Sequence, residues 1–396
     1  MESPADLIEI VGDYAWSLGA ELGWGGAGLA LLGLVAGWRG GWPVLLPVLV
    51  MLGNLVTVAL HGSRNDIFIW HRYYIPSYAM MAVLAGLGCH VLIGRMPRAL
   101  KFLPLGIPVV MLLAGWNTHD RSRYRIAESF GMSVLRSLPP GAHLIATDDN
   151  ILFSLLYLHL VEHRRPDVNL IPQGVGDADL PPLRFNPDNE LLFFTHHPNW
   201  TLPSLELVPV GLLFRACRAG EARPEPIVPE PLEGERDPRV PKDYLTQNLI
   251  GQFHYMLGFT FEQRDWPSAR REFEEAAAAA PENDVLFYNL GLIFRRNGLV
   301  EEALRAFERS HAINPRHLAS YTRPRASDRV RELVAERERI LRLERTLVES
   351  PAIRDIEPGT PEYHRGIAAL LEEQGETQAA RGHRLQALEQ APQVKD

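Results

Sequence analysis

Apolar residues fall in four long runs along the first part of the chain, at 22–38, 43–60, 76–94 and 99–116. Each approaches the roughly 17–25 residues that a helix needs to cross a bilayer core about 30 Å thick. The runs are almost free of charge: Asn54 interrupts the second, His90 falls late in the third, and Lys101 stands near one end of the fourth. Trp24, Trp38, Trp42, Trp70 and Trp116 sit towards the run ends, where indoles anchor to headgroups. The pattern predicts an α-helical membrane domain over 1–116 with four transmembrane helices. With the N-terminus outside, the inner loops hold Arg39, Arg95, Arg98 and Lys101, and the short outer loop holds Arg64 and Arg72. That basic bias places residue 117 onward outside the cytoplasm, which in a bacterium means an inner-membrane protein with a periplasmic tail.

After residue 116 the pattern changes. Residues 117–221 read as a small α/β domain: a helix over 123–138, a strand over 143–147, a helix over 151–163, then strands over 168–171, 191–195 and 205–214. Strand, helix and strand in that order predict a parallel pair with a right-handed crossover. Asp148, Asp149 and Asn150 then lie at the carboxyl end of a strand, where open α/β sheets bind ligands. The competing reading is that Asp149 or Asn150 only caps the following helix. His196 and His197 end another strand but have no acidic neighbour in sequence, and no metal site is expected.

Residues 222–243 are Pro-rich and charged and read as a linker. From there a 34-residue period takes over. Ala269 and Ala303, Phe273 and Phe307, and Pro281 and Pro315 are each one period apart, and Leu257-Gly258 is answered by Leu290-Gly291. This is the tetratricopeptide pattern, and it predicts an all-α repeat solenoid with two units over 244–320. Residues 321–396 add a charged helix at 327–349 and a degenerate third copy marked by Leu371, Gly375, Ala380, Ala387 and Pro392. The first helix of each unit lines a concave groove. Tyr255, Phe259, Tyr288, Asn289, Arg295 and Arg296 are the residues expected to hold a peptide or protein partner there, the arginines through a carboxylate.

Charge and composition narrow the function. Residues 1–116 carry six basic and six acidic residues, so the whole net charge of −8 lies in the remainder. An acidic soluble part argues against nucleic-acid binding. Two cysteines exclude a disulfide framework. The run Gly23-Trp24-Gly25-Gly26-Ala27-Gly28 satisfies a dinucleotide fingerprint but opens an apolar helix without a preceding strand. Small residues there and at Gly33 and Gly37 instead suit close helix packing in lipid, and no cofactor is expected. Between the second and third runs, Asp66, His71 and Arg72 crowd one membrane surface among aromatic residues, as a lip that would meet a lipid-linked phosphate.

The run from Asn65-Asp66 through Arg72-Tyr73-Tyr74-Ile75-Pro76-Ser77-Tyr78, then Ala85-Gly86-Leu87-Gly88, Asp120-Arg121-Ser122, Thr147-Asp148-Asp149-Asn150 and Arg165-Pro166-Asp167-Val168, stands ahead of the repeats in a characteristic order. In this order the motifs resemble a family of multipass membrane proteins related to the GT-C-type transmembrane protein O-mannosyltransferases. The resemblance spans about residues 25–315 and the C-terminal part of the family pattern. It implies an extracytoplasmic soluble tail and sugar transfer from a polyprenyl-phosphate donor. GT-C enzymes carry their catalytic carboxylate in a loop after an early membrane helix, so no catalytic residue is carried over and the catalytic N-terminal part is expected to lie outside this chain. Two other functions stay open: a non-enzymatic membrane-anchored scaffold, and an active glycosyltransferase.

Overall fold

The computed structural model describes residues 4–38, 42–61, 73–172, 191–196, 205–218, 220, 227–315 and 324–391. The chain divides into two compact units, Met1–Ser122 and Arg123–Asp396.

The first unit consists of helices α1 (Pro4–Glu21), α2 (Gly23–Gly37), α3 (Trp42–His61), α4 (Ile75–Arg95) and α5 (Gly106–His119). Gly23 takes a positive φ of 64°, which lets α1 and α2 meet at 104°. The contact between α2 and α4 depends on glycine. A Cβ on Gly33 would strike the carbonyl oxygen of Leu84, and one on Gly88 would strike that of Leu29. The outer surface is apolar, with Leu31, Val35, Leu46 and Leu113 all exposed.

Among the described residues, α4 is the one helix long and apolar enough to cross a membrane, and the bent α1–α2 pair makes a second if it counts as one span. The sequence led us to expect four full spans. The 15 residues of α2 and the 14 of α5 rise only about 22 and 21 Å. The apolar part of α3, Val44–Leu60, is also shorter than the test length.

The second unit opens with α6 (Ile126–Ser137), β1 (His143–Ala146), α7 (Asp149–Leu156) continued by a π-turn over Tyr157–Val161, and β2 (Asn169–Pro172). Strands β3 (Leu192–Phe194), β4 (Leu205–Val210) and β5 (Leu213–Arg218) complete a sheet in the order β2-β1-β3-β5-β4. β1 is parallel to both β2 and β3, and the other pairings are antiparallel. The single strand expected over 205–214 is a hairpin, because Gly211 turns the chain at a φ of +57°. The Arg165-Pro166-Asp167 motif is a staple: Arg165 Nη1 donates to the carbonyls of Leu135 and Leu138 at the end of α6. Its Nη2 pairs with Asp167, whose carboxyl is held down at about 2.

Helix α8 (Tyr244–Phe261) belongs to two cores at once. Leu249, Ile250, Phe253 and Met256 join the α/β core beside Phe130, while Gly258 receives the ring of Phe273 from α9 (Trp266–Ala279). Residues 227–243, a linker by composition, run along this same core with Leu232 and Val240 buried in it. Two apolar side chains in a polar stretch are enough to seat it. His254 on α8 ties three segments together, bonding Glu235 at 2.8 Å and Glu272 of α9 at 2.7 Å.

The second repeat unit is α10 (Asp284–Arg296) and α11 (Val300–Ile313), with Phe307 filling the notch at Gly291. The charged helix α12 (Ala326–Leu347) packs on it through Ala326 and Leu333. The terminal hairpin, α13 (Pro361–Glu373) and α14 (Thr377–Gln390), buries Leu371, Ala380 and Ala387. It folds back on the first repeat unit, where Glu389 accepts from Arg270 at 2.7 Å and from Trp266 Nε1 at 2.7 Å.

Candidate functional site

Of the three places where the sequence put chemistry, the lip residues Asp66, His71 and Arg72 lie outside the described residues. The segments beside them are described. Tyr74, at the start of α4, donates to Asp13 Oδ2 of α1 at 2.9 Å. Tyr14 Oη donates to Ser77 Oγ at 2.7 Å, and Asn54 Nδ2 of α3 donates to the same oxygen at 2.8 Å. Ser17 and Tyr78 share a further hydroxyl contact. This knot joins three helices where the lip rejoins the chain. Asp13 is one of the six acidic residues of 1–116. The available signal was the matched helical spacing of Asp13-Tyr14 with Ser17 and of Tyr74 with Ser77-Tyr78. Beside the knot lies an apolar cavity of about 360 Å³, lined by Tyr14, Ala30, Leu34, Met51, Leu55 and Met81 among others.

The second place is the crevice at the carboxyl ends of β1 and β3. The chain leaves β1 for β2 on one side and β3 lies on the other, so this is a topological switch point. Asp148 caps α7, its Oδ1 accepting the backbone N–H of Asn150 at 2.9 Å, in a backbone conformation with φ of +73°. A positive φ on a residue other than glycine is costly and tends to mark functional sites. The cap expected at Asp149 or Asn150 is Asp148 instead, and Asp149 and Asn150 form the first turn. Asp148 and Asp149 are exposed. Across the crevice, the Thr147 amide donates to Thr195 Oγ1 at 3.0 Å, and His196 Nδ1 lies 3.2 Å from the hydroxyls of both threonines. Burial lowers the pKa of His196, while the charge of Asp148 pulls it the other way. A neutral imidazole, two hydroxyls and a carboxylate can bind a polar ligand by hydrogen bonds. Among the described residues no three His, Cys, Asp or Glu side chains stand together as metal ligands would.

The third place is the repeat groove. Tyr255 and Phe259 are half-buried, with Phe259 edge-on to Phe214 of β5 and the guanidinium of Arg296 5.0 Å above its ring. Tyr288 is not the exposed anchor expected of it: it is buried, and its hydroxyl donates to the Pro324 carbonyl at 3.0 Å. Neither arginine is a free clamp. Arg295 bonds Glu332 at 3.0 Å and Glu336 at 3.2 Å, and Arg296 pairs with the buried Glu262. Asn289 remains half-buried on α10. α12 packs against the second repeat as the next helix of the stack and brings Glu332 and Glu336 to Arg295, whereas Arg296 takes Glu262 at the end of α8.

A tetratricopeptide-repeat family model matches residues 261–316, from the end of α8 through the second repeat unit. This match supports a protein-interaction tail. The chain is also similar to the protein O-mannosyl-transferase TMEM260 of Mus musculus, at 30% identity over 111 residues. The aligned stretch takes in 26% of this chain and 16% of that protein, so the chain spans much less than two thirds of the relative's length. No solved structure matches the chain.

Proposed function

We propose that the chain is a membrane-integrated component of a polyprenyl-phosphate-sugar-dependent glycosyl-transfer system, whose repeat tail recruits a protein partner outside the cytoplasm. The observation that carries the reading is the likeness to a mouse protein named for O-mannosyl transfer, together with the repeat match. The apolar exterior of the first unit supports membrane integration, since exposed apolar surface on this scale marks a lipid or protein contact. On this reading Arg72 and His71 meet the donor phosphate, Asp66 completes the lip, and the multipass unit lies in a membrane that is the inner one in a bacterium, with the tail periplasmic.

The test uses the full chain in lipid nanodiscs with a photoactivatable polyprenyl-phosphate sugar. Crosslinking in the segment 62–78, weakened by Arg72→Ala, is expected. Crosslinking spread evenly over the helices would leave a scaffold function with no donor site. In intact cells, Cys217 should react with a membrane-impermeant thiol reagent, and reaction only after lysis would reverse the topology.

A further inference from the structure

We infer that His364 and His383 form a one-proton latch, which closes the open end of the terminal hairpin at neutral pH and releases it in acid. The two rings face each other across the hairpin, His364 from the first turn of α13 and His383 from the middle of α14. Their Nδ1 atoms lie 2.9 Å apart. His383 Nε2 stands 3.1 Å from Glu344 Oε1 of α12, and His364 Nε2 stands 3.5 Å from Gln390 Nε2.

These contacts fix the protons. An ionised carboxylate only accepts, so His383 Nε2 carries a hydrogen and donates it to Glu344. The Nδ1 of a neutral His383 is then an acceptor, and His364 Nδ1 donates to it. One further proton fits on His364 Nε2, where the Gln390 amide can turn its oxygen to receive it. A second does not fit. It would put a hydrogen on each Nδ1, about 0.9 Å from the other. The closed hairpin therefore holds one extra proton where an open one holds two.

The charges around the pair leave this limit in place. Glu344 is one carboxylate for two rings. A cavity of about 260 Å³ beside His383 and Glu344 brings in charged groups of α11 and α12, and these are already matched. Arg337 pairs with Glu301 at 3.3 Å, and Arg305 with Glu302 at 3.6 Å. On the hairpin itself Arg365 pairs with Glu362 at 3.6 Å and Arg384 with Glu372 at 2.7 Å. Tyr363 meets His364 edge-on. Burial lowers the pKa of His364 and the neighbouring His383 lowers it further, while Glu344 pulls it up. A depressed folded value means that closure is complete above the ordinary 6.5 and is lost below it. Helix α14 is anchored from its other side, with Gly382 against the backbone of Gly298 and Glu389 on Arg270 of α9. The separation therefore falls on α13, and it uncovers Ile353 and Ile367, which are buried in the core shared with Ile340 of α12.

The experiment follows hydrogen exchange of the full chain in nanodiscs at pH 7.5 and pH 5, with rates corrected for the intrinsic pH dependence of amide exchange. One extra proton in the open form makes opening of 361–373 roughly thirtyfold more frequent at the lower pH, with α8 and α9 unchanged. His364→Gln keeps a polar side chain at the latch but removes one titrating ring, and should abolish the rise. A rise of the same size in His364→Gln overturns the inference. So does a flat profile in the unaltered chain, or a rise spread evenly over the second unit, which is general acid unfolding. Spin labels at the exposed positions Arg365→Cys and Leu388→Cys, in the chain carrying Cys89→Ser and Cys217→Ser, keep both histidines. They decide the matter if His364→Gln is open at both pH values: a longer separation at pH 5 is expected, and an unchanged one overturns the latch.

Discussion

Helices in the first unit touch backbone to backbone, with Gly33 of α2 against Leu84 and Gly88 of α4 against Leu29. In the repeats the same residue type makes a notch for a ring: Phe273 enters at Gly258 and Phe307 at Gly291. The second unit adds charge networks, centred on His254, Arg270 and Arg295. The difference follows from what lies outside each set of helices. Where the exterior is apolar, burying a ring separates inside from outside poorly, and close shape fit has to hold the helices together. Where the exterior is polar, ring burial stabilises the stack and ion pairs fix its register.

The charge networks of the second unit give the largest expected effect. His254→Ala would leave Glu235 and Glu272 facing each other without their cation. A loss of about 3 kcal/mol is expected, read as faster hydrogen exchange in α8 and α9 of the full chain. Burial alone would lower the His254 pKa, but the two carboxylates reverse this and hold it at about 9. Because the folded value lies above the ordinary 6.5, this stabilisation is complete below about pH 6.5 and is lost as pH rises through 9. After allowance for solvent screening, the span is on the order of 2 kcal/mol. His254→Gln should flatten that dependence, and an unchanged pH profile would remove His254 from the network.

Steric contacts come next and test the contrast most directly. Gly88→Val should cost about 3 kcal/mol, the top of the overpacking range, because the opposing backbone of α2 cannot step aside. Gly291→Ala should cost about 1 kcal/mol, since the Phe307 ring can tilt away. Thermal unfolding in nanodiscs measures both, and equal losses would erase the distinction between the two kinds of contact. Smaller still is the return of the terminal hairpin to α9. Glu389→Gln removes the carboxylate shared by Arg270 and Trp266, at a cost of about 1 kcal/mol. Limited proteolysis should then cut the α13–α14 hairpin first.

How much of this was legible in the sequence depended on the range of the interaction. The repeat units were readable because Ala269 and Phe273 recur after 34 residues and Gly258 after 33, and because these residues pack within one hairpin. The α/β strands were readable for the same local reason, except at 205–218, where Gly211 could be read as strand or turn until its partner strand was seen. The knot of Asp13, Asn54 and Tyr74 was hidden because its members stand far apart in the chain and each is unremarkable alone. Leu232 and Val240 were hidden by Pro-rich surroundings whose average composition says linker. In the groove the positions were readable but their occupancy was not, since the charges of α12 look solvated until that helix is placed beside Arg295.

That occupancy sets the smallest and most informative test. Arg295 is 28% exposed, and Glu332 and Glu336 are 46% and 22% exposed, so each pair is worth only about 0.2–1 kcal/mol. The double variant Glu332→Ala/Glu336→Ala should therefore leave the melting temperature almost unchanged. It should also free Arg295 to meet a carboxylate from outside. A peptide with two acids four residues apart, the spacing that α12 itself presents, should then bind several-fold tighter than to the unaltered chain, since about 1 kcal/mol of released competition is worth roughly fivefold. Titration of such a peptide, monitored by fluorescence anisotropy, reads the change. Adding Arg295→Ala should abolish the gain. If affinity is the same in all three proteins, partners dock elsewhere on the repeats, and α12 is simply the next helix of the stack.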